Sequence, residues 1–269
     1  MEPYWDLIKR IINESDLVLE ILDARLVELS RNEEAEKIVG EIGRPLIFVI
    51  NKSDLVSKNI LKKQVKMLKK KGRVVFVSAK SPRDIRILLY AIKKTFKEFG
   101  KRETNELDMQ NRITKGDIVV GVIGYPNVGK SSIINALAHK KKAKVGKKPG
   151  TTHGIHWIRA TKEIKLIDSP GVIPLSKDDE IRYGLIGARG TESLKNPEIV
   201  AYALVKLFLK NSKDGFEKFY GIIIKDSAPN AIIREIANKK RYLIKGGNLD
   251  ENRVCSDIVR DWQQGRLRL

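Results

Sequence analysis

The chain has 269 residues, 42% apolar and 32% charged, which are the proportions of a globular protein large enough for one domain or for a domain with a smaller module. No apolar run reaches the roughly 20 residues that span a bilayer, the start MEPYWDLIKR lacks the apolar centre of a secretion signal, and the lone cysteine Cys255 excludes a disulfide framework and a Cys-rich zinc site. A net charge of +20, from 53 Lys plus Arg against 33 Asp plus Glu, points to a polyanionic partner, the alternative being a solvated lysine-rich surface of the thermophilic kind.

The first short apolar run, Leu17 to Asp23 (LVLEILD), predicts a buried strand, as do Leu46 to Ile50 (LIFVI) and Val74 to Val77 (VVFV). Helical patterns lie between them. In Ile85 to Phe99 the residues Ile85, Leu88, Leu89, Ile92, Phe96 and Phe99 fall on one face. Residues 100–116 are polar and charged and read as a linker. Ile118 to Ile123 (IVVGVI) is a fourth buried strand, and two more are expected at Ile155 to Ala160 and Ile164 to Ile167. Strands alternating with helices predict a doubly wound α/β sheet. After Leu175 the pattern turns helical. Asn196 can cap a helix with Pro197 at its first position, followed by the stripe Ile199, Val200, Ala203, Leu204, Leu207 and Phe208. A helix is expected over Pro229 to Asn238, a turn at Gly246-Gly247, and a last helix with Val254, Ile258, Val259 and Trp262 inward. The expected division is residues 1–175 for the α/β domain and 176–269 for a small all-helical one, with Cys255 a buried small hydrophobe.

Four motifs carry chemistry, each at the end of an expected strand. Gly124 to Ser131 (GYPNVGKS) fits the phosphate-binding pattern GxxxxGK[ST] between a strand and a helix. Its glycines let backbone N–H groups turn onto phosphate oxygens, Lys130 would reach the β- and γ-phosphates, and the Ser131 hydroxyl would meet Mg²⁺. Asp168 to Gly171 (DSPG) places an aspartate to hold Mg²⁺ through water and a Gly171 N–H to meet the γ-phosphate. Asn51 to Asp54 (NKSD) offers a carboxylate for the paired donors N1 and N2 of guanine, which adenine lacks. Ser78-Ala79-Lys80 offers a backbone N–H for guanine O6. Any one of them has an ordinary reading as a turn or helix cap. Together they are the nucleotide-site set of a Ras-like GTPase, at the strand ends where open α/β sheets bind ligands. Their order is changed, since NKSD and SAK precede the P-loop. A circular permutation accounts for this, because it leaves every strand end in place.

On these motifs, with DAR at Asp23 to Arg25, PGTTHG at Pro149 to Gly154 and the tail Ala237 to Leu267, nearly the whole chain resembles the circularly permuted GTPases of the YlqF/RbgA type, in an archaeal or eukaryote-like form. The bacterial branch's His-containing segment near the start has no counterpart, since no His precedes His139. The resemblance implies a Ras-like P-loop GTPase domain with a helical RNA-binding module. It implies GTP and GDP as ligands with Mg²⁺ and a stimulating K⁺, and a part in ribosome assembly, on the large subunit in the first reading. The implied nucleotide contacts are Asn51, Lys52, Asp54, Ser78, Ala79, Lys80, Asn127, Val128, Gly129, Lys130, Ser131, Ser132 and Gly171. Asn127 would help hold K⁺, Ser131, Asp168 and a switch threonine (Thr152 in preference to Thr151) would serve Mg²⁺, and Lys130, Asn127 and Thr152 would carry catalysis.

The position of the Ras-like catalytic glutamine is Val172, which cannot orient water, and His153 is read as a structural loop residue. The six lysines Lys140, Lys141, Lys142, Lys144, Lys147 and Lys148 form a basic stretch before the threonines. Basic residues of the helical module, namely Lys239, Lys240, Arg241, Lys245, Arg253, Arg260, Arg266 and Arg268, are the candidates for contact with ribosomal RNA. The chain is expected to be a cytoplasmic monomer without membrane attachment. The alternatives are a GTP-dependent RNA-binding switch with little hydrolysis and a small-subunit assembly factor.

Overall fold

The computed structural model of the chain describes residues 4–66, 68–100, 117–138, 156–169 and 179–269. The apolar runs form a six-stranded sheet of β1 (Leu17–Asp23), β2 (Leu46–Asn51), β3 (Arg73–Phe76), β4 (Ile118–Ile123), β5 (His156–Arg159) and β6 (Ile164–Asp168). In space the order is β3-β2-β1-β4-β6-β5, with every neighbouring pair parallel except β5 and β6. β1 and β4 are buried along their whole length. Such strands need cover on both faces, which crossover helices supply. On one side Ile8 and Ile12 of α1 (Tyr4–Glu14) and Ala35, Ile38 and Val39 of α2 (Glu33–Ile42) pack with Val18 and Ile123. Each fully buried Ile or Leu in such a cluster contributes about 1.5–3 kcal/mol. The chain continues through α3 (Lys58–Gln64), α4 (Leu68–Lys71), α5 (Pro82–Phe99) and α6 (Lys130–Leu137). α5 starts where Ser81 caps it through the Asp84 N–H at 3.3 Å and Pro82 takes the first turn.

The doubly wound α/β sheet is as the sequence predicts, and it is a Ras-like P-loop sheet entered at a different strand. Strand ends shift by a residue: β3 runs one position earlier than Val74 to Val77, and the described part of β5 is shorter than Ile155 to Ala160. Phe99 is a correction. It was expected on the inward face of α5, yet it is 67% exposed, one turn past Thr95, the last residue of that helix buried on the sheet.

The chain divides into two compact units, Met1–Asp54 with Lys62–Pro174, and Leu55–Leu61 with Leu175–Leu269. The second is helical, with α7 (Glu180–Ile186), α8 (Pro197–Asn211), α9 (Lys213–Tyr220), α10 (Pro229–Lys240) and α11 (Glu251–Gln263). Its core gathers Phe208, Phe216 and Trp262, whose indole N–H donates to the Leu185 carbonyl at 2.6 Å. Leu269 pairs by backbone with Leu55 and Ser57, at 2.8 Å each, which brings Leu55–Leu61 into this unit. The buried face of α8 is Val200, Ala201, Leu204, Val205 and Phe208, with Ile199 exposed. This face is rotated from the expected stripe, because IVAYALVKLFL is apolar on nearly every side and its periodicity does not choose a face. Cys255 is buried, and burial, with Glu198 and Glu251 nearby, pushes its thiol up to about 12.

One carboxylate sits inside the sheet unit. Glu20, in the middle of β1, is fully buried, accepts from the Asn32 N–H at 2.7 Å and leaves its Oε2 without a partner among the described residues. Burial, reinforced by Glu36, pushes it up to about 8. The folded protein therefore keeps a proton that the unfolded chain releases near pH 4.5, and stability falls as pH rises from there to about 8. Glu20→Gln supplies the neutral form permanently. Its melting temperature should exceed that of the parent at pH 8, the gain corresponding to a few kcal/mol, and should match it near pH 4.5. A scan at the two pH values tests this, and an equal difference at both would show that Glu20 does not titrate in this window.

Candidate functional site

β4 feeds directly into the phosphate-binding loop, and α6 begins at its last residues. Gly124 and Gly129 have φ of 141° and 102°, where only glycine is at ease. A Cβ on Gly124 would meet the Ile21 carbonyl at 2.6 Å, and one on Gly129 would collide with the Asn51 amide. Asn127 takes the left-handed conformation at φ 61°, which asparagine tolerates best among residues with a Cβ. The side chain of Lys130 is buried and folds back on its own loop, donating to the carbonyls of Gly124 at 2.6 Å and Tyr125 at 3.0 Å. Burial pushes its ammonium down to about 8, against the pull of Asp168. Val128 is buried, and Ser131 and Ser132 stand half-buried in the first turn of α6.

Asp168 closes β6. Burial raises its carboxyl to about 6, opposed by Lys130 and His156, and its Oδ1 is buried with no hydrogen-bond partner among the described residues. A buried, unpartnered carboxylate oxygen suits a hydrated hard cation such as Mg²⁺. No group of three or more His, Cys, Asp or Glu able to hold a metal occurs among the described residues. A cation here would need oxygens from phosphate, water and the Ser131 hydroxyl, and that is the usual composition of a Mg²⁺ site beside a nucleotide.

The base-side motifs sit on β2 and β3. The Asn51 amide donates to the Val128 carbonyl at 2.8 Å, tying the first residue of NKSD to the phosphate loop. Lys52 adopts φ 61° and its ammonium meets Asp23 at 2.7 Å. Arg25 grips the same carboxylate, through Nε at 3.0 Å and a terminal nitrogen at 2.8 Å. Burial alone would raise Asp23, but Arg25 and Lys52 outweigh it and hold the carboxyl well below its usual range. Burial lowers Lys52, with Asp23 acting against it. The NKSD turn joins the neighbouring strand through Ser53 N–H to Val77 O at 3.3 Å, and Asp54 is exposed beyond it. In the SAK turn the Ser78 N–H donates to Asp84 at 2.9 Å and that of Lys80 to Ser78 Oγ at 3.4 Å. Ala79 is therefore the better placed of the three to face a base oxygen.

Sequence reasoning gave Asp84 no part. The signal was the spacing Ser81-x-x-Asp84 at a helix start, which marks a cap. Asp23 and Arg25 entered only through the resemblance, and their hold on Lys52 has no local sequence signature. Thr151, Thr152, His153, Gly171, Val172 and the lysines from Lys140 to Lys148 lie outside the described residues. In the helical unit the eight basic candidates divide. Lys240 pairs with Asp257 at 3.4 Å, Arg260 with Asp257 at 2.7 Å and Arg266 with Asp261 at 3.0 Å, while Arg253 stacks on the Tyr242 ring at 4.0 Å. Lys239, Arg241, Lys245 and Arg268 are exposed and have no ion pair among the described residues.

A family model described as 50S ribosome-binding GTPase matches residues 119–240. The chain is 38% identical to a GTP-binding protein of Methanocaldococcus jannaschii over 98% of its own length and 66% of the relative's. It is 29% identical to ribosome biogenesis GTPase A of Bacillus cereus, over 94% of the chain and 84% of the relative. The structure of GNP-bound YlqF from T. maritima matches with a TM-score of 0.60 at 22% identity, covering 98% of this chain and 95% of that one, a likeness of fold. The expectation of a cytoplasmic protein is corrected. Relatives matched over 98% and 99% of the chain are named nucleolar GTP-binding protein 2, in Pneumocystis carinii, and nuclear GTP-binding protein, in Saccharomyces cerevisiae. Composition and the lack of a long apolar run therefore assign no compartment. The chain spans 52% and 55% of the length of these two relatives.

Proposed function

We propose, from the premise that the chain belongs to the circularly permuted P-loop GTPases of the YlqF/RbgA type, that it binds GTP, hydrolyses it to GDP and phosphate, and couples the two states to holding and leaving ribosomal RNA or a ribosomal subunit, the large one in the first instance. The observation that carries the reading is the Asn51 to Val128 hydrogen bond, which fastens a guanine-type motif to a phosphate loop across the β1–β4 seam of a permuted sheet. Asp54 accepts from the base and the Ala79 N–H donates to its oxygen. The Lys130 ammonium leaves the Gly124 and Tyr125 carbonyls for the β- and γ-phosphates, where it offsets the charge that develops as the bond to the γ-phosphoryl group breaks. Ser131 and Asp168 would hold Mg²⁺, which supplies neutralisation of the phosphate charge when bound. Thr152 and Gly171 would sense the γ-phosphate, and Val128, Gly129 and Ser132 would line the phosphates with their N–H groups.

Asn127 would help hold a K⁺ ion against the phosphates in place of an arginine finger. K⁺ should then raise the hydrolysis rate over Na⁺, and Asn127→Ala should erase the difference. Equal rates in the two salts, in parent and variant alike, would end the cation idea. A switch with little hydrolysis is the second reading. It is favoured by Val172, which stands where a Ras-like chain has its catalytic glutamine, and by Gln64, whose amide is already bonded to Val27 and Ala24. Multiple-turnover phosphate release with and without separated subunits decides between the two. Co-sedimentation with each subunit in GTP analogue and in GDP tests the coupling, and equal affinity in both states, below saturation, would remove it.

A further inference from the structure

α5 has two unlike faces. Ile85, Leu88, Ala91, Ile92 and Thr95 are buried. At 100° per residue the opposite arc, about 120° wide, holds five cations, Arg83, Arg86, Lys93, Lys94 and Lys97, with Ile87 and Tyr90 between them and no acid. All are exposed, Tyr90 by 68% and Ile87 by 46%. Lys93 meets Glu163 at 2.5 Å and Lys94 stands 4.0 Å from Glu98, both surface pairs that cost little to exchange. Among the described residues Arg83, Arg86 and Lys97 have no ion pair.

A merely solvated helix face mixes charges of both signs. This arc has one sign along about 21 Å of helix, from Arg83 to Lys97, and a tyrosine ring left in water at its centre. Cations spaced turn by turn suit a line of phosphates, and an exposed ring suits a base that stacks on it. An acidic polypeptide would satisfy the cations but leave the ring without a partner. The helix is also firmly based, since Asp84 in its first turn holds the Ser78 N–H of the SAK turn at 2.9 Å.

We infer that the outward face of α5 binds RNA, with Arg83, Arg86 and Lys97 on backbone phosphates and Tyr90 against an unpaired base. This rests on the reading of the partner as RNA and adds a contact surface on the sheet unit to the basic residues of the helical one. The test uses the full chain with GDP, a fluorescein-labelled 20-nucleotide oligouridylate and a 20-base-pair RNA duplex, followed by anisotropy across a salt series. Combined Arg83→Glu, Arg86→Glu and Lys97→Glu substitutions should weaken single-strand binding at least about tenfold. They should also flatten the slope of log K against log salt by about 2, at roughly 0.7 per lost phosphate contact. The corresponding glutamine variant should move both the same way by less. Tyr90→Ala should lower single-strand affinity about 5-fold or more and spare the duplex. Fluorescent GDP affinity should stay unchanged throughout, because none of these residues belongs to the nucleotide site.

Parent affinity and slope in the triple variant would overturn the inference. So would poly-glutamate competing as well as RNA of equal charge while Tyr90→Ala changes nothing, which would indicate an acidic polypeptide. A parent chain that binds neither RNA removes the inference together with the RNA reading. A parent that binds RNA but not GDP refutes the nucleotide reading alone, and the RNA arms still decide this one.

Discussion

Lys130→Ala should lower the single-turnover rate of GTP hydrolysis by about 10²–10³-fold, the loss typical of removing one preorganised charge from a transition state. The buried ammonium now rests on two carbonyls of its own loop, so a phosphate ligand gives it a better partner without moving it out of the fold. Alanine removes both the loop tie and the phosphate charge. Lys130→Arg should restore little, because a planar guanidinium does not fit the space of a compact ammonium enclosed by the Gly124–Lys130 loop. Quenched-flow hydrolysis and thermal melting measured together separate the two effects. An alanine variant that hydrolyses within about threefold of the parent would remove Lys130 from the reaction.

Asp54→Asn should weaken GTP binding by about 100-fold or more and improve xanthosine triphosphate binding. The exposed carboxylate at the end of the NKSD turn would accept from two guanine donors, whereas an asparagine amide presents one acceptor and one donor. Xanthine replaces the exocyclic donor of guanine with an acceptor, which the amide can meet. Asp54 bears no part of the core, so the fold should be indifferent to the change. Competition of each triphosphate against fluorescent GDP reads the result, and unchanged GTP affinity would place the base elsewhere.

The strands were legible because LVLEILD, LIFVI and IVVGVI are apolar at both parities, which only a doubly covered parallel sheet requires. The phosphate loop was legible because Gly124 and Gly129 stand where a side chain cannot. What stayed hidden depends on distant partners. Nothing in LVLEILD says that Glu20 lies inward and neutral rather than at an edge. Nothing near Lys52 says that Asp23 holds it, since 29 positions separate the pair. A count of basic residues in the tail could not tell Lys240 and Arg260, which share Asp257, from Lys239 and Lys245, which point to water. The face of α8 was lost because its sequence is apolar almost all round.

The strand order also bears on how the chain is made. β1 is flanked in the sheet by β2 on one side and β4 on the other. β2 follows β1 almost at once, but β4 begins at Ile118, roughly a hundred residues after Leu17, and at about 5–20 residues per second that is a delay of about 5–20 seconds. During it the nascent half-sheet β3-β2-β1 displays, besides the β3 edge that the finished sheet keeps, a second open edge at the apolar strand Leu17–Asp23, which the finished fold buries. Long apolar edges recruit other strands, so the permuted order carries an aggregation hazard that an unpermuted chain, which makes the β4 equivalent first, meets at a different edge. Release of a truncated chain ending before Ile118 should therefore yield aggregates, and the interval in which a holding chaperone protects the full-length product should close when β4 emerges.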